Sequence, residues 1–357
     1  MFSKSVPSIQ INSTSKFRIQ TSKMMIIRLQ MDGSYDIIEM SNEDIIKEAR
    51  ASSPISCNLS HGGLQPRDMR LFDPAFSNSH DPEILVRRHS VLVNLDQIKA
   101  LILHNKCLVY VPVGADSLLA EIMVRLRSPE YTTNGEPFEI RSYEAVLVTV
   151  TNLLELEFKD LKPAVKITID EVMKASSGPI LERLRQVKMR MTALDNKLIG
   201  IGKALGELLQ SDKDMTLMNL SLTFEFPDDF KHERETLWDF DHEEVELLLE
   251  NYLQLVDGIK LKLDNLGEEL DTTIFSVTMR LDTARNKLLF VELLVSTVTA
   301  VGTYGALVAA LFGMNLDSGV QDKENLFWVV FGIVLLGSPL AIGIMFWIIK
   351  CKGLLIT

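Results

Sequence analysis

Two apolar runs near the end of the chain stand apart from everything before them. Leu293 to Leu316 and Leu326 to Ile349 are each 24 residues without a charged side chain. About 20 apolar residues cross a hydrocarbon core of roughly 30 Å, so each run predicts a membrane-spanning helix. Uncharged core helices of soluble domains seldom pass roughly 18 residues, which weighs against a buried pair. No other stretch of the chain qualifies.

Upstream of the first run the polar and apolar positions alternate with a helical period. Val245, Leu249, Tyr252, Val256, Ile259, Leu263, Leu266 and Leu270 recur in steps of four and three, extended by Ile274, Val277 and Leu281. That is a seam of about 3.5 residues per turn, the repeat of helices that coil about one another. No proline interrupts Glu243 to Gly313. One helix therefore runs from a soluble region through the first span, a rod of about 100 Å at 1.5 Å per residue. Few single-chain folds need such a rod, whereas several copies packed around an axis do. Ile140 to Ala175 and Pro179 to Gln210 predict two further long amphipathic helices, joined at Ser177-Gly178-Pro179. A polar break follows at Ser211 to Asp214.

The first 112 residues read differently. Met25 to Leu29, Ile84 to Val86, Val91 to Val93, Ile98 to Leu103 and Leu108 to Val111 are short β-branched runs punctuated by Asn, Asp, Gly and Pro. Ser41 to Ala51 and Asp116 to Arg127 predict short helices between them, and residues 52 to 82 predict loop. The fold class is α+β, mostly α: an N-terminal α/β soluble domain, a stalk helix continuous with the first of two C-terminal transmembrane helices, and the second span. The expected divisions are 1–31, 32–135, 136–287, 288–315 (first span), 316–325 (acidic loop), 326–349 (second span) and 350–357 (basic tail).

The 3.5-residue step can be followed past Leu281. It meets Asp282, Arg285 or Asn286, Leu289, Glu292, Ser296, Thr299 and Thr303, then Ala306, Ala310 and Asn315. Most polar side chains of the first span fall on this stripe; Thr297 and Tyr304 do not. A charge at membrane depth costs at least about 2.5 kcal/mol unless it meets water or a partner. A polar stripe on an otherwise apolar helix is the pattern of a pore-lining helix. The alternative is that each Ser or Thr bonds its own backbone or a neighbouring helix. The second span is apolar, with Phe327, Trp328, Phe346 and Trp347 at its ends, as in a lipid-facing helix with aromatic belts. Gly332, Gly337 and Gly343 would let it approach a neighbour, and Ser338-Pro339 would kink it.

Charge sharpens this picture. The formal net charge is −11, which suits cations and argues against nucleic acid as a partner. Asp228 to Asp271 alone carries 15 acidic and 4 basic residues. Residues 1–31 contain no Asp or Glu but do carry Lys4, Lys16, Arg18, Lys23 and Arg28 among many serines, as an organellar transit segment would. Lys350 and Lys352 follow the second span, while the loop between spans is acidic, so both termini are expected on the matrix or cytoplasmic side. Cys57, Cys107 and Cys351 form no close pair, and no histidine pair has zinc spacing. Gly200-Ile201-Gly202-Lys203 lacks the rest of a phosphate loop and predicts helix packing. No nucleophile or acid–base set suggests an enzyme.

Gly313-Met314-Asn315 lies between the two spans, with the long helix before it and the acidic loop after it. In that setting the tripeptide resembles the signature of the CorA-type magnesium channels. Pro66-Arg67-Asp68-Met69-Arg70, Ile84 to Arg87, Leu92-Val93-Asn94 with Ile98-Lys99-Ala100, Pro137-Phe138-Glu139 with Glu144 to Leu147, and Asp212 to Met215 resemble the eukaryotic mitochondrial branch, as does Glu243 to Arg285. The likeness covers roughly residues 60 to 350. Phe312 departs from the bacterial branch, where tyrosine commonly precedes the glycine.

The resemblance implies a funnel-shaped homopentamer in a lipid membrane, with the first span lining the pore. Magnesium would be both transported and regulatory. Asn315 would meet the hydrated ion at the outer mouth, Gly313 would permit a tight turn, and Met314 would pack sideways. Asp282 and Arg285 match positions that ring the inner pore, and Leu289 would be an apolar constriction. Acidic faces between subunits would bind regulatory magnesium; Glu243, Glu244, Glu246, Glu250, Glu268, Glu269 and Asp271 are the candidates. The mitochondrial inner membrane is the expected location, with another organellar or plasma membrane as the alternative. Carriage of zinc, cobalt or nickel by the same architecture, including proton-coupled zinc export using Glu292, and a two-span anchored scaffold are the competing readings.

Overall fold

The computed structural model describes residues 23–53, 63–73, 81–110, 122, 124, 137–174, 178–226, 242–314 and 325–351. The chain divides into two compact units, Met1–Asp271 and Thr272–Thr357.

The first unit is built on a six-stranded antiparallel sheet. Its strands are β1 (Met24–Gln30), β2 (Tyr35–Met40), β3 (Glu83–Arg87), β4 (Ser90–Leu95), β5 (Ile98–Ile102) and β6 (Lys106–Tyr110). The spatial order is β2-β1-β6-β5-β4-β3. β3 to β6 form a meander by hairpins, and β1 closes on β6 with Ile26 opposite Tyr110 and Gln30 opposite Lys106. Every residue of β4 and β5 is buried. An antiparallel sheet usually wets one face, but here both faces are covered, so these strands are mostly apolar and even Ser90, Asn94 and Lys99 are buried.

One face carries Ile26, Leu92, Leu101 and Leu108 and packs on α1 (Asn42–Ala51) and α2 (Met69–Phe72) through Ile45, Ala49, Met69 and Phe72. Ser41 caps α1 in a reciprocal capping box with Asp44. The other face is covered by α3 (Phe138–Lys174) and α4 (Gly178–Leu209). At the outer edge, a Cβ on Gly200 of α4 would lie 2.8 Å from Pro82 Cδ. Glycine is what brings the helix against the chain entering β3, and the Gly200–Lys203 segment is indeed helix packing. Two short helices, α5 (Asp212–Met218) and α6 (Leu220–Glu225), follow. The break expected over Ser211 to Asp214 is instead the cap and first turn of α5, with Ser211 Oγ accepting from Asp214 N at 3.3 Å.

Two elements depart from expectation. β2 and α2 fall where no strand was expected and where loop was expected, respectively. The expected transit segment also overlaps β1, whose Ile26 and Ile27 are buried. A leader reaching residue 31 would take with it a strand paired on both sides. The expected helix over Asp116 to Arg127 lies outside the described residues except at 122 and 124, which are helical.

The long helix, α7, is unbroken from Glu243 to Phe312, 70 residues. Its first part belongs to the first unit. There the expected seam is buried from Val245 to Leu270, each full burial worth about 1.5–3 kcal/mol. It packs along α4: a Cβ on Gly267 would lie 3.5 Å from Met191 Cε, and Lys188 Nζ meets Asp271 Oδ1 at 2.7 Å. The seam fades beyond Leu270, since Ile274 and Val277 are half-buried and Leu281 is exposed. The second unit comprises the rest of α7 and α8 (Leu326–Cys351). Both α7 and α8 are long and apolar enough to cross a membrane.

Candidate functional site

Within the second unit the two spans contact through one face of α7. Thr297 Oγ1 lies 3.2 Å from Met345 Sδ on α8, and a Cβ on Gly305 would lie 3.4 Å from Val334 Cγ1. Val301 and Val308, on the same face, are half-buried. This contact accounts for Thr297, one of the two exceptions to the polar stripe; Tyr304, the other, is exposed. The close approach depends on Gly305 of the first span; Gly332, Gly337 and Gly343 of the second meet nothing within 4 Å in the chain.

The stripe lies elsewhere. Asp282, Arg285, Asn286, Leu289, Glu292, Ser296, Thr299 and Thr303 are all exposed. At roughly 100° per residue, the line through Leu289, Glu292, Ser296, Thr299 and Thr303 lies about 150° around the helix from the face that packs on α8. The structure therefore leaves the polar side chains on the side away from the second span.

Thr299 Oγ1 donates to the Val295 carbonyl and Thr303 Oγ1 to the Thr299 carbonyl, both at 2.8 Å. The backbone-bonding alternative for these residues is thus part of the picture, and it has a chemical consequence. A hydroxyl whose proton is held by its own helix turns lone pairs outward, and such an oxygen accepts from water around a cation.

At the end of the first span, Gly313 N donates to the Ala309 carbonyl at 3.0 Å. Gly313 does not adopt a positive φ, and the turn it was expected to permit lies outside the described residues. A Cβ there would sit 3.4 Å from the Ala309 carbonyl oxygen and 3.6 Å from that of Ala310, in van der Waals contact. Met314 is half exposed, and Asn315 lies outside the described residues. Asp282 and Arg285 form no ion pair with each other among the described residues.

The acidic candidates of the first unit are all exposed: Glu243, Glu244, Glu246, Glu250, Glu268, Glu269 and Asp271. Asp271 is engaged by Lys188, and Glu246 faces His242 at 4.0 Å. Glu244 and Glu250 line a cleft of about 860 Å³ with Glu144 of α3 and Asp257 of α7, over Leu247 and Leu253. Glu144 and Asp257 were not among the metal candidates; Asp257 lies seven residues, about two helical turns, past Glu250 on α7, and Glu144 belongs to a motif piece on α3. Among the described residues of a single chain, no three His, Cys, Asp or Glu side chains converge to hold a metal ion.

The motif pieces of the soluble region meet in space, but as structure. Arg87 holds Asp68 through two hydrogen bonds, with Gln65 N also donating to Asp68 at 2.9 Å. The Asp68 hydrogen bonds, with lesser help from the Asp214 carboxylate, hold the Arg87 pKa above its ordinary value. Burial pushes the Asp68 pKa up, but the Arg87 and Gln65 hydrogen bonds outweigh it and leave the carboxyl below its usual range. Segments around residues 68, 87 and 214 are thereby joined. Buried Glu139 accepts from Ser221 N at 2.7 Å and from Ser221 Oγ at 3.0 Å, and Tyr143 donates to the Met218 carbonyl at 2.9 Å. Lys99, buried on β5, reaches the Asp73 carbonyl at 3.5 Å. Burial lowers its pKa, with the Asp73 charge opposing.

The family described as magnesium transporter MRS2-like matches residues 42–285. A chloroplastic magnesium transporter of Arabidopsis thaliana, MRS2-11, is 28% identical over 320 residues, covering 84% of this chain and 70% of its own. The mitochondrial inner membrane magnesium transporter mrs2 of Schizosaccharomyces pombe is 32% identical over 280 residues, covering 76% of this chain and 64% of its own. The Yarrowia lipolytica protein of the same description is 32% identical over 309 residues, covering 79% and 68%. Among solved structures, the CorA magnesium transporter of Methanocaldococcus jannaschii aligns over 91% of this chain and 97% of its own at 13% identity and a TM-score of 0.43. The matched family is one of transporters rather than enzymes. The chain belongs to the MRS2-like family of magnesium transporters.

Proposed function

We propose that this chain forms a homopentameric magnesium channel of the mitochondrial inner membrane, with both termini in the matrix. The observation that carries the reading is the opposition within the second unit. The polar stripe from Leu289 to Thr303 is exposed on the side of α7 away from its contact with α8. Copies arranged with the stripe inward and α8 outward give a wet axis and a lipid-facing rim.

In this reading five Asp282 carboxylates and five Glu292 carboxylates raise the local cation concentration. Five Arg285 guanidiniums temper it. Leu289 forms the apolar constriction. Thr299 and Thr303 offer acceptor oxygens to the waters around the ion. Magnesium dehydrates reluctantly, and a ring of five neutral Asn315 amide oxygens at the outer mouth suits a hydrated ion that must also leave. The acidic cleft of Glu244, Glu250, Glu144 and Asp257, with Glu268 and Glu269 further along α7, supplies faces that repel between neighbouring copies until a divalent ion bridges them. Internal magnesium would then hold the channel closed. The basic, serine-containing residues before Met24 and the relatives named as mitochondrial inner membrane transporters support the location.

The test is magnesium entry into liposomes containing the purified full chain, with zinc, cobalt and nickel run in parallel. The reading expects magnesium flux in the wild type and its loss in Asn315→Ala with the oligomer intact. Flux retained in Asn315→Ala contradicts the role given to that residue; zinc flux without magnesium flux moves the protein to a different cargo; no flux at all returns it to the scaffold reading.

A further inference from the structure

We infer that Phe275 and Met279 form a second apolar collar on the conduction path, on the far side of Asp282 from the membrane. Asp282 and Asn286 then lie in a compartment closed by this collar at one end and by Leu289 at the other. The inference rests on the pore reading above and adds an element to it.

The observation is an exposed stripe that precedes the polar one. Thr272, Phe275, Met279, Asp282, Asn286 and Leu289 follow steps of three and four, and all are exposed. Phe275 is 65% exposed and Met279 is 59% exposed, on a stretch where other positions are free to be charged. Arg280 and Lys287 fall off this line, while Arg285 and Asn286 flank it on either side between Asp282 and Leu289. Phe275, Asp282, Leu289, Ser296 and Thr303 are spaced by sevens. A straight helix drifts about 20° per heptad, and a seven-residue repeat stays on one side only where helices coil about a common axis. Copies that meet along Ser296 and Thr303 therefore bring Phe275 to the same axis.

At 1.5 Å per residue, Phe275 lies about 10 Å below Asp282 and about 21 Å below Leu289. A ring of phenyl groups there has no polar atom to replace the waters of a passing ion, and an apolar constriction gates by excluding water. Between the two collars, the Asp282 carboxylates and Asn286 amides hold hydrated cations, with the Arg285 guanidiniums tempering the carboxylate charge. The compartment fills from either side only when its collar is wet.

The test uses the full chain with Cys57, Cys107 and Cys351 replaced by serine. Phe275→Cys forms disulfides between copies under mild oxidation as readily as Leu289→Cys. Ala284→Cys, on the opposite side of the helix and also exposed, forms none. In liposomes, Phe275→Asn raises magnesium entry about threefold or more by wetting the collar, while Phe275→Leu stays at the wild-type rate. Phe275→Leu, which keeps an apolar side chain, also shows that the position tolerates replacement. Cross-linking at residue 284 in place of 275, or wild-type entry rates in an assembled Phe275→Asn channel, overturns the collar. A wild-type chain that carries no ion sinks the transport reading, and the cross-linking pattern still reports which face of α7 meets the axis.

Discussion

Arg87 grips Asp68 in a two-point fork, Nε to Oδ2 at 3.0 Å and Nη2 to Oδ1 at 2.9 Å, and the carboxylate is 4% exposed. The pair fastens the turn before α2 to edge strand β3. Breaking a buried pair strands a charge, at a cost of about 3–5 kcal/mol; Arg87 is a quarter exposed, so Asp68→Asn is expected near the lower figure. Thermal unfolding of the detergent-solubilised chain measures it. The pH dependence has a definite sign. Asp68 has its pKa lowered by folding, so its contribution is full above the ordinary carboxylate pKa of about 3.9 and disappears as pH falls through the lower folded value. The difference in stability between wild type and Asp68→Asn should therefore shrink in acid, and a difference that grows in acid would contradict the assignment.

Gly200 and Gly206 sit on the same helix and should respond in opposite directions. A Cβ at Gly200 would meet Pro82 at 2.8 Å, whereas one at Gly206 meets nothing within 4 Å. Gly206→Ala is expected to stabilise by about 0.5–1 kcal/mol through helix propensity. Gly200→Ala is expected to destabilise by about 1–3 kcal/mol through overpacking. Denaturation midpoints of the two variants check both.

Cys107 lies inside the sheet, and burial pushes its thiol up to about 12. At pH 8 its thiolate fraction is on the order of 10⁻⁴. An alkylating reagent should leave Cys107 unmodified in the native chain and label it on unfolding, as read by peptide mass. Rapid native labelling would show that the sheet opens.

Removal of residues 1–22 should leave the fold intact, because β1 begins at Met24. Removal of residues 1–31 takes away β1, which pairs with both β2 and β6, and should abolish cooperative unfolding. Expression and thermal melts of the two truncations distinguish the cases.

The helical part of the chain was legible because its signals are local. The seam from Val245 to Leu270 is buried at every expected position, and α3 and α4 begin and end within two residues of their expected bounds. β2 was not legible. It is an edge strand with Tyr35 and Ile37 exposed and Asp36 and Glu39 among its residues, so no burial pattern marks it. Sheet order was hidden for a different reason: β1 pairs with β6 across some eighty residues of chain, and nothing local encodes a distant partner. The stripe from Asp282 to Thr303 was visible from period alone. Which side the second span would take was not, since Thr297 and Met345 are 48 residues apart. The motif pieces around Asp68, Arg87, Glu139 and Asp214 were visible as resemblance, and the structure gives them a framework role.

In the proposed channel the Thr303 side of α7 faces water and the Val301 side faces protein. Thiol labelling tests it most directly, in liposomes containing a chain whose native cysteines are replaced. Thr303→Cys should react with a small, charged, membrane-impermeant thiol reagent and lose magnesium flux as it does so, while Val301→Cys should not react. Labelling of Val301→Cys by that reagent, with Thr303→Cys reached only by a lipid-soluble one, would contradict the account.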